Sequence, residues 1–170
     1  LTNAAIMEFG FTEETRALVK KITGDEKYAT PYSIEKRANM IRWGEDCMAV
    51  TDSLGFCMLA SAGPAWKLTP EIMAKLYTAA TGIIMNEEKI LFAGRRIVTL
   101  ERAFNIREGH ERKDDSLPYK LMNEKVPEGP TKGSVNSQEE LNTMLDEYFT
   151  LHGWDLRTGW PTEEVYENLE

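Results

Sequence analysis

One pattern of punctuation recurs along this chain and constrains its fold more than any other feature. A hydroxyl residue is followed by acidic residues, then by apolar residues three and four apart, then by glycine. Thr12-Glu13-Glu14 opens such a block, which runs to about Ile22 and closes at Gly24. Thr69-Pro70-Glu71 opens another, with Ile72, Met73, Leu76, Tyr77 and Ala80 as one apolar face and Gly82 as the stop. Ser137 opens a third, with Leu141, Met144, Leu145, Tyr148 and Phe149 on one face and Gly153 at its end. A hydroxyl oxygen accepts from a free first-turn N–H, carboxylates suit the positive end of the helix, and glycine takes the left-handed conformation that ends it. Each block therefore reads as a capped amphipathic helix.

The remaining segments extend this reading. Ser33 is placed to cap a helix through Ala38 and Ile41 toward Val50, and Thr162-Glu163-Glu164 starts a short last one. From Asn86 a long helix is expected, with Ile90, Ala93, Ile97, Leu100 and Phe104 in register; Gly94 inside it weakens the helix but permits close packing. From about 109 to 136 the chain is polar, carries Pro118, Pro127 and Pro130, and shows no sustained period, so a long irregular loop is expected there. No alternating strand pattern occurs. The expected fold class is all-α and multi-helical.

Charge and cysteine content exclude several functions. A net charge of −8 disfavours nucleic-acid binding, which needs clustered Lys and Arg. No apolar run approaches the roughly 20 residues of a membrane span, and Leu1-Thr2-Asn3-Ala4-Ala5 does not begin a signal peptide. The expected setting is the cytoplasm, and the missing initiator Met suggests a chain cut from something longer. Cys47 and Cys57 are the only cysteines, too few for a disulfide scaffold or for the four thiolates of an iron–sulfur cluster. Any such site must borrow ligands from outside this chain.

Chemistry concentrates at Asp52-Ser53-Leu54-Gly55-Phe56-Cys57, where helical periodicity breaks. Gly55 lets the backbone approach a ligand closely. Asp52 offers an acceptor for N–H donors, and Cys57 offers a soft thiolate for iron. By composition alone, Cys57 also reads as a small buried hydrophobe and Asp52 as a cap.

This hexapeptide resembles the Asp-x-x-Gly-Leu-Cys motif of the aldehyde ferredoxin oxidoreductase family, with Phe56 in the Leu place. A longer series resembles the same family: Gly94 to Ile97, Leu100 to Gly109, Arg112 to Pro118, then Leu145 to Tyr148, Gly153 to Asp155 and Pro161-Thr162. The resemblance implies the family's C-terminal helical part, covering nearly the whole of residues 1–170. It implies that Asp52 hydrogen-bonds one pterin of a tungsten (or molybdenum) bis-molybdopterin, that Leu54, Gly55 and Phe56 line it, and that Cys57 is the fourth ligand of a [4Fe–4S] cluster. The implied reaction is aldehyde oxidation to carboxylate with ferredoxin or another carrier as electron acceptor. A related aromatic-ring thioester reductase and a non-catalytic helical interaction module are the alternatives.

Lys120 stands where the family usually has Arg. The family's other pterin motif, its three-cysteine motif, its Glu-x-x-His iron ligands and its N-terminal cofactor-binding domain have no counterpart here. The chain on its own is therefore expected to hold no metal or cofactor and to be inactive, with the remainder of a parent enzyme as its partner. No catalytic acid or base is assigned.

Other polar residues read as structural. Cys47 is expected in the core, His110 on a solvent-facing loop, and His152 at a helix C-terminus where a cation suits the dipole. Glu101, Arg102, Arg107, Glu108, Asp114 and Asp115 are expected to form an internal charge network that orders the following loop. Trp43, Trp66, Trp154 and Trp160 are expected as packing anchors.

Overall fold

The computed structural model describes residues 12–30, 34–57 and 68–169. Among these the chain is all-α, as the periodicity requires, with one isolated bridge between Trp154 and Pro161 in place of any strand. It divides into two compact units, Leu1–Arg102 and Ala103–Glu170. Among the described residues no helix is long and apolar enough to cross a membrane.

The first unit contains α1 (Glu13–Thr23), α2 (Arg37–Ser53), α3 (Pro70–Thr81) and most of α4 (Glu87–Arg107). The expected caps form: Thr12 Oγ1 accepts from the Thr15 N–H at 3.2 Å, and Thr69 Oγ1 accepts from the Ile72 N–H at 3.4 Å. At the other ends the Gly24 and Gly82 N–H groups donate to Lys20 and Thr78 carbonyls. α2 starts at Arg37, following Lys36 at φ 55° with no side-chain cap; the expected cap, Ser33, lies outside the described residues. Cys47, Val50, Met73, Ala74 and Ile90 form one core cluster, and Val19, Ala29 and Met40 another.

α2 and α4 cross at Gly94, which confirms the close packing expected of that glycine. A Cβ there would stand 2.8 Å from the Asp46 carbonyl carbon and closer still to its oxygen. Arg95, the next residue, donates from Nη2 to Asp46 Oδ2 at 3.3 Å.

Two expected faces are only half covered. On α3, Met73 is buried but Ile72 and Leu76 are exposed, and on α4, Leu100 is 70% and Phe104 53% exposed. The buried residues of α4 are instead Ile90, Gly94, Thr99 and Arg102. Periodicity identifies residues sharing a face; it does not say how much of that face another element covers.

In the second unit, Ser137 caps α6 (Gln138–His152) as expected, in a capping box with Glu140, and the helix ends at Gly153. The stretch expected to be irregular contains a 3₁₀ turn (Arg112–Asp114) and the short α5 (Tyr119–Asn123). A tight turn follows, with the Val126 N–H donating to Ser134 and the Gly133 N–H to Val126. Local polar closures of this kind leave no hydrophobic period. The loop is anchored by Arg112, which bonds Asp146 at 2.7 Å, donates to the Leu156 carbonyl and lies over the Phe149 ring. Within the expected charge network, Arg107 pairs with Glu108 and Asp115 lies 3.0 Å from His110.

His152 lies in the last turn of α6 as expected, but is packed in a way that spacing does not show. It is buried, with its ring centroid 4.4 Å from Tyr148 and 4.5 Å from Trp154. His110 also differs, since its Nε2 lies 3.0 Å from Asp115 Oδ1. Trp43 packs against a core cluster and Trp154 is buried, whereas Trp160 is half exposed and Trp66 lies outside the described residues. α7 (Glu163–Leu169) completes the described chain.

Candidate functional site

The hexapeptide from Asp52 to Cys57 is the C-terminal stop of α2, and its backbone explains its composition. The Gly55 N–H donates to the Asp52 carbonyl at 3.1 Å and the Phe56 N–H to the Thr51 carbonyl at 3.0 Å. These two bonds form a Schellman motif, which requires a left-handed residue between them. Gly55, at φ 71°, is that residue. Asp52 and Ser53 belong to the last helical turn, so the helix runs further than its apolar period suggested.

Side chains along the hexapeptide divide by exposure. Leu54 and Phe56 pack against the core cluster of Cys47, Val50, Met73, Ala74 and Ile90. Asp52, Gly55 and Cys57 are exposed. The apolar residues thus hold the turn to the unit while the carboxylate and the thiol stay accessible on the same short segment.

The position of Asp52 bears on the capping reading. A helix stabilises carboxylates at its N-terminus and disfavours them in its last turn, where carbonyls carry the negative end of the dipole. Asp52 sits in that last turn. Asp52 is therefore not the N-cap of α2.

The two cysteines differ in the way expected. Cys47 is buried, and burial pushes its thiol up from 9.0 to about 11, with the Asp46 and Glu87 charges adding to the effect. It remains a protonated thiol at neutral pH. Cys57 is exposed and in no disulfide. Among the described residues, no three His, Cys, Asp or Glu side chains gather as a metal site.

Comparison with known proteins places this chain in a family. The family model described as aldehyde ferredoxin oxidoreductase, domains 2 and 3, matches residues 4–170. The chain belongs to that oxidoreductase family. It is 33% identical over 139 residues to the tungsten-containing aldehyde ferredoxin oxidoreductase of Pyrococcus abyssi, covering 81% of this chain and 22% of the relative. The enzyme of the same name from Thermococcus kodakarensis is 32% identical over 139 residues, with the same coverage. Among solved structures, the active site complex BamBC of benzoyl coenzyme A reductase with 1,5-dienoyl-CoA superimposes with a TM-score of 0.70 at 28% identity. That match covers 92% of this chain and 25% of the other. The chain thus spans about a fifth to a quarter of the length of the proteins it matches.

Proposed function

We propose that this chain contributes one pterin contact and one cluster ligand to a tungsten- or molybdenum-pterin, [4Fe–4S] oxidoreductase that oxidises aldehydes to carboxylates. The observation that carries the reading is the Schellman turn that anchors Leu54 and Phe56 while leaving the Asp52 carboxylate and the Cys57 thiol exposed. The donor set fits the two groups. An ionised carboxylate accepts hydrogen bonds and donates none, which suits pterin N–H groups; a thiolate suits iron. Gly55 presents no side chain, so a flat ring can lie against the turn.

When bound, the metal–pterin centre supplies the oxygen-transfer chemistry and the cluster carries electrons onward to ferredoxin. This chain's part is to hold and orient. Asp52 fixes the pterin edge by charge-assisted hydrogen bonds, and Leu54 and Phe56 keep the turn from shifting. Cys57 supplies one of four cluster ligands, and the rest of the enzyme supplies the remaining three. The N-terminal cofactor-binding domain and the aldehyde pocket belong to that remainder, in the cytoplasm.

A second reading is supported by the structural neighbour, whose name specifies a benzoyl coenzyme A reductase. Under it the same turn serves a reductase of aromatic-ring thioesters.

The test uses the intact enzyme. Asp52→Asn keeps the shape but exchanges an acceptor-only group for a mixed one, at a cost of about 1.5–3 kcal/mol per charge-assisted bond lost. Pterin content of the purified variant should fall, with the helical fold intact. Pterin content and turnover equal to wild type would remove Asp52 from the cofactor.

A further inference from the structure

The continuous helix α4 keeps one face open along nearly its whole length. Positions 89, 92, 96, 100, 104 and 107 are spaced three and four apart, so they stay on one stripe for five turns, roughly 27 Å. They are Lys89, Phe92, Arg96, Leu100, Phe104 and Arg107, and all six are exposed. Leu100 is 70% and Phe104 53% exposed, whereas Gly94 and Arg102, turned the other way, are buried.

The stripe is basic as well as apolar. No Asp or Glu stands at its six positions; Glu87, Glu88 and Glu101 fall elsewhere around the helix, and Glu87 is paired with Lys21 at 2.6 Å. Lys89 and Arg96 enter no ion pair among the described residues. Arg107 lies over the Phe104 ring at 4.8 Å and shares its charge with Glu108 at 3.1 Å. A chain of net charge −8 thus gathers cations and large apolar side chains on one helix face.

Aromatic residues and Arg are enriched at the centres of protein interfaces, where Lys, Glu and Asp are depleted. Phe92, Arg96, Leu100 and Phe104 along the middle, with Lys89 at one end, follow that composition. Charge selects the complement. A second copy would bring the same cations to the stripe, and like charges facing across an interface repel. An acidic surface with an apolar centre fits instead. The same polypeptide can supply it: the chain matches the family's domains 2 and 3 and spans 22% of the Pyrococcus abyssi relative, so most of such a protein lies outside these residues. We propose that this face of α4 seats an acidic, apolar-centred surface of the remainder of the parent enzyme. The inference rests on family membership and is independent of the roles given to Asp52 and Cys57.

Two measurements on the purified intact enzyme test this. In hydroxyl-radical footprinting, Leu100 and Phe104 should oxidise about tenfold more slowly in the folded enzyme than in urea, because an interface centre excludes water. Rates lowered only in proportion to the 70% and 53% exposure of this chain would overturn the proposal and leave the face to a separate partner. The Arg96→Lys enzyme, which keeps the charge, is then treated with a zero-length carbodiimide and its peptides are identified by mass spectrometry. The introduced amine should couple to an Asp or Glu from outside the 170 residues. Coupling only within those residues, only between two copies distinguished by isotope mixing, or to no carboxylate would each overturn the acidic complement. If Arg96→Lys fails to fold, the exposed amine of Lys89 in the wild type is read in the same way.

Discussion

Burial holds the Cys47 thiol protonated to about pH 11, whereas in the unfolded chain it ionises near 9.0. The raised value means the folded state binds the proton more tightly. That contribution is fully present below pH 9 and is lost as pH rises through 11. Denaturant titrations should therefore show the wild type losing about 2 kcal/mol more than Cys47→Ala between pH 9 and pH 11. Parallel curves would mean that Cys47 ionises freely. Exposure predicts a matching chemical contrast. Brief iodoacetamide treatment at pH 8 should label Cys57 and spare Cys47 by mass spectrometry, since the reagent needs an accessible thiolate. In the intact enzyme, Cys57→Ala should deplete cluster iron and Cys47→Ala should not; equal loss from both would cancel the assignment. Sequence separated these cysteines by motif alone; the structure adds the physical cause, core burial for one and an exposed turn for the other.

The helices were legible wherever side chains close their own ends. Thr12, Thr69 and Ser137 cap as their sequences indicate, because a cap is settled within four residues. Ser137→Ala should destabilise the second unit by about 1 kcal/mol in a thermal melt. α4 offers a sharper test at Gly94. Intrinsic propensity says Gly→Ala in a helix interior stabilises by about 1 kcal/mol. The Asp46 backbone occupies the space that a Cβ needs, so Gly94→Ala should instead destabilise by about 1–3 kcal/mol. A rise in melting temperature would mean the two helices do not meet there. The segment from 109 to 136 is largely irregular, as its lack of period indicates, apart from short local closures. Its 3₁₀ turn, α5 and Val126–Ser134 closure rest on backbone and polar bonds, which periodicity does not register.

Across the whole chain, far-ultraviolet circular dichroism should be helical, and a strand-dominated spectrum would contradict the fold. Much apolar surface remains uncovered in the first unit. Ile83 and Ile84, adjacent in sequence after α3, are 56% and 77% exposed, and Ile72 and Leu76 on that helix are exposed too. Contiguous exposed apolar residues drive association in water. The 170-residue chain should therefore self-associate on size-exclusion chromatography at high concentration, and Ile84→Lys should reduce this without altering the helical spectrum. A monomer at all concentrations would show that the exposed residues form no sticky patch. The same exposure is consistent with a chain that spans only about a fifth of its relatives' length.

Helix content, the glycine stops and the hexapeptide at 52–57 were determined by the sequence itself, because caps, turns and apolar spacing act over one or two helical turns. Family membership was legible too, in an ordered series of short matches. Four other features depended on tertiary structure. Leu100 and Phe104 share a periodic face with Ile90 yet stay exposed. His152, expected at the end of its helix, is there but buried beside the Tyr148 and Trp154 rings. Arg112 orders the polar loop through Asp146, distant in sequence. Arg42, Asp46 and Arg95 come from two helices to line one cavity. Each of these depends on which elements meet, and burial, pairing and the fate of a proton follow from residues far apart in the chain, where local spacing carries no signal.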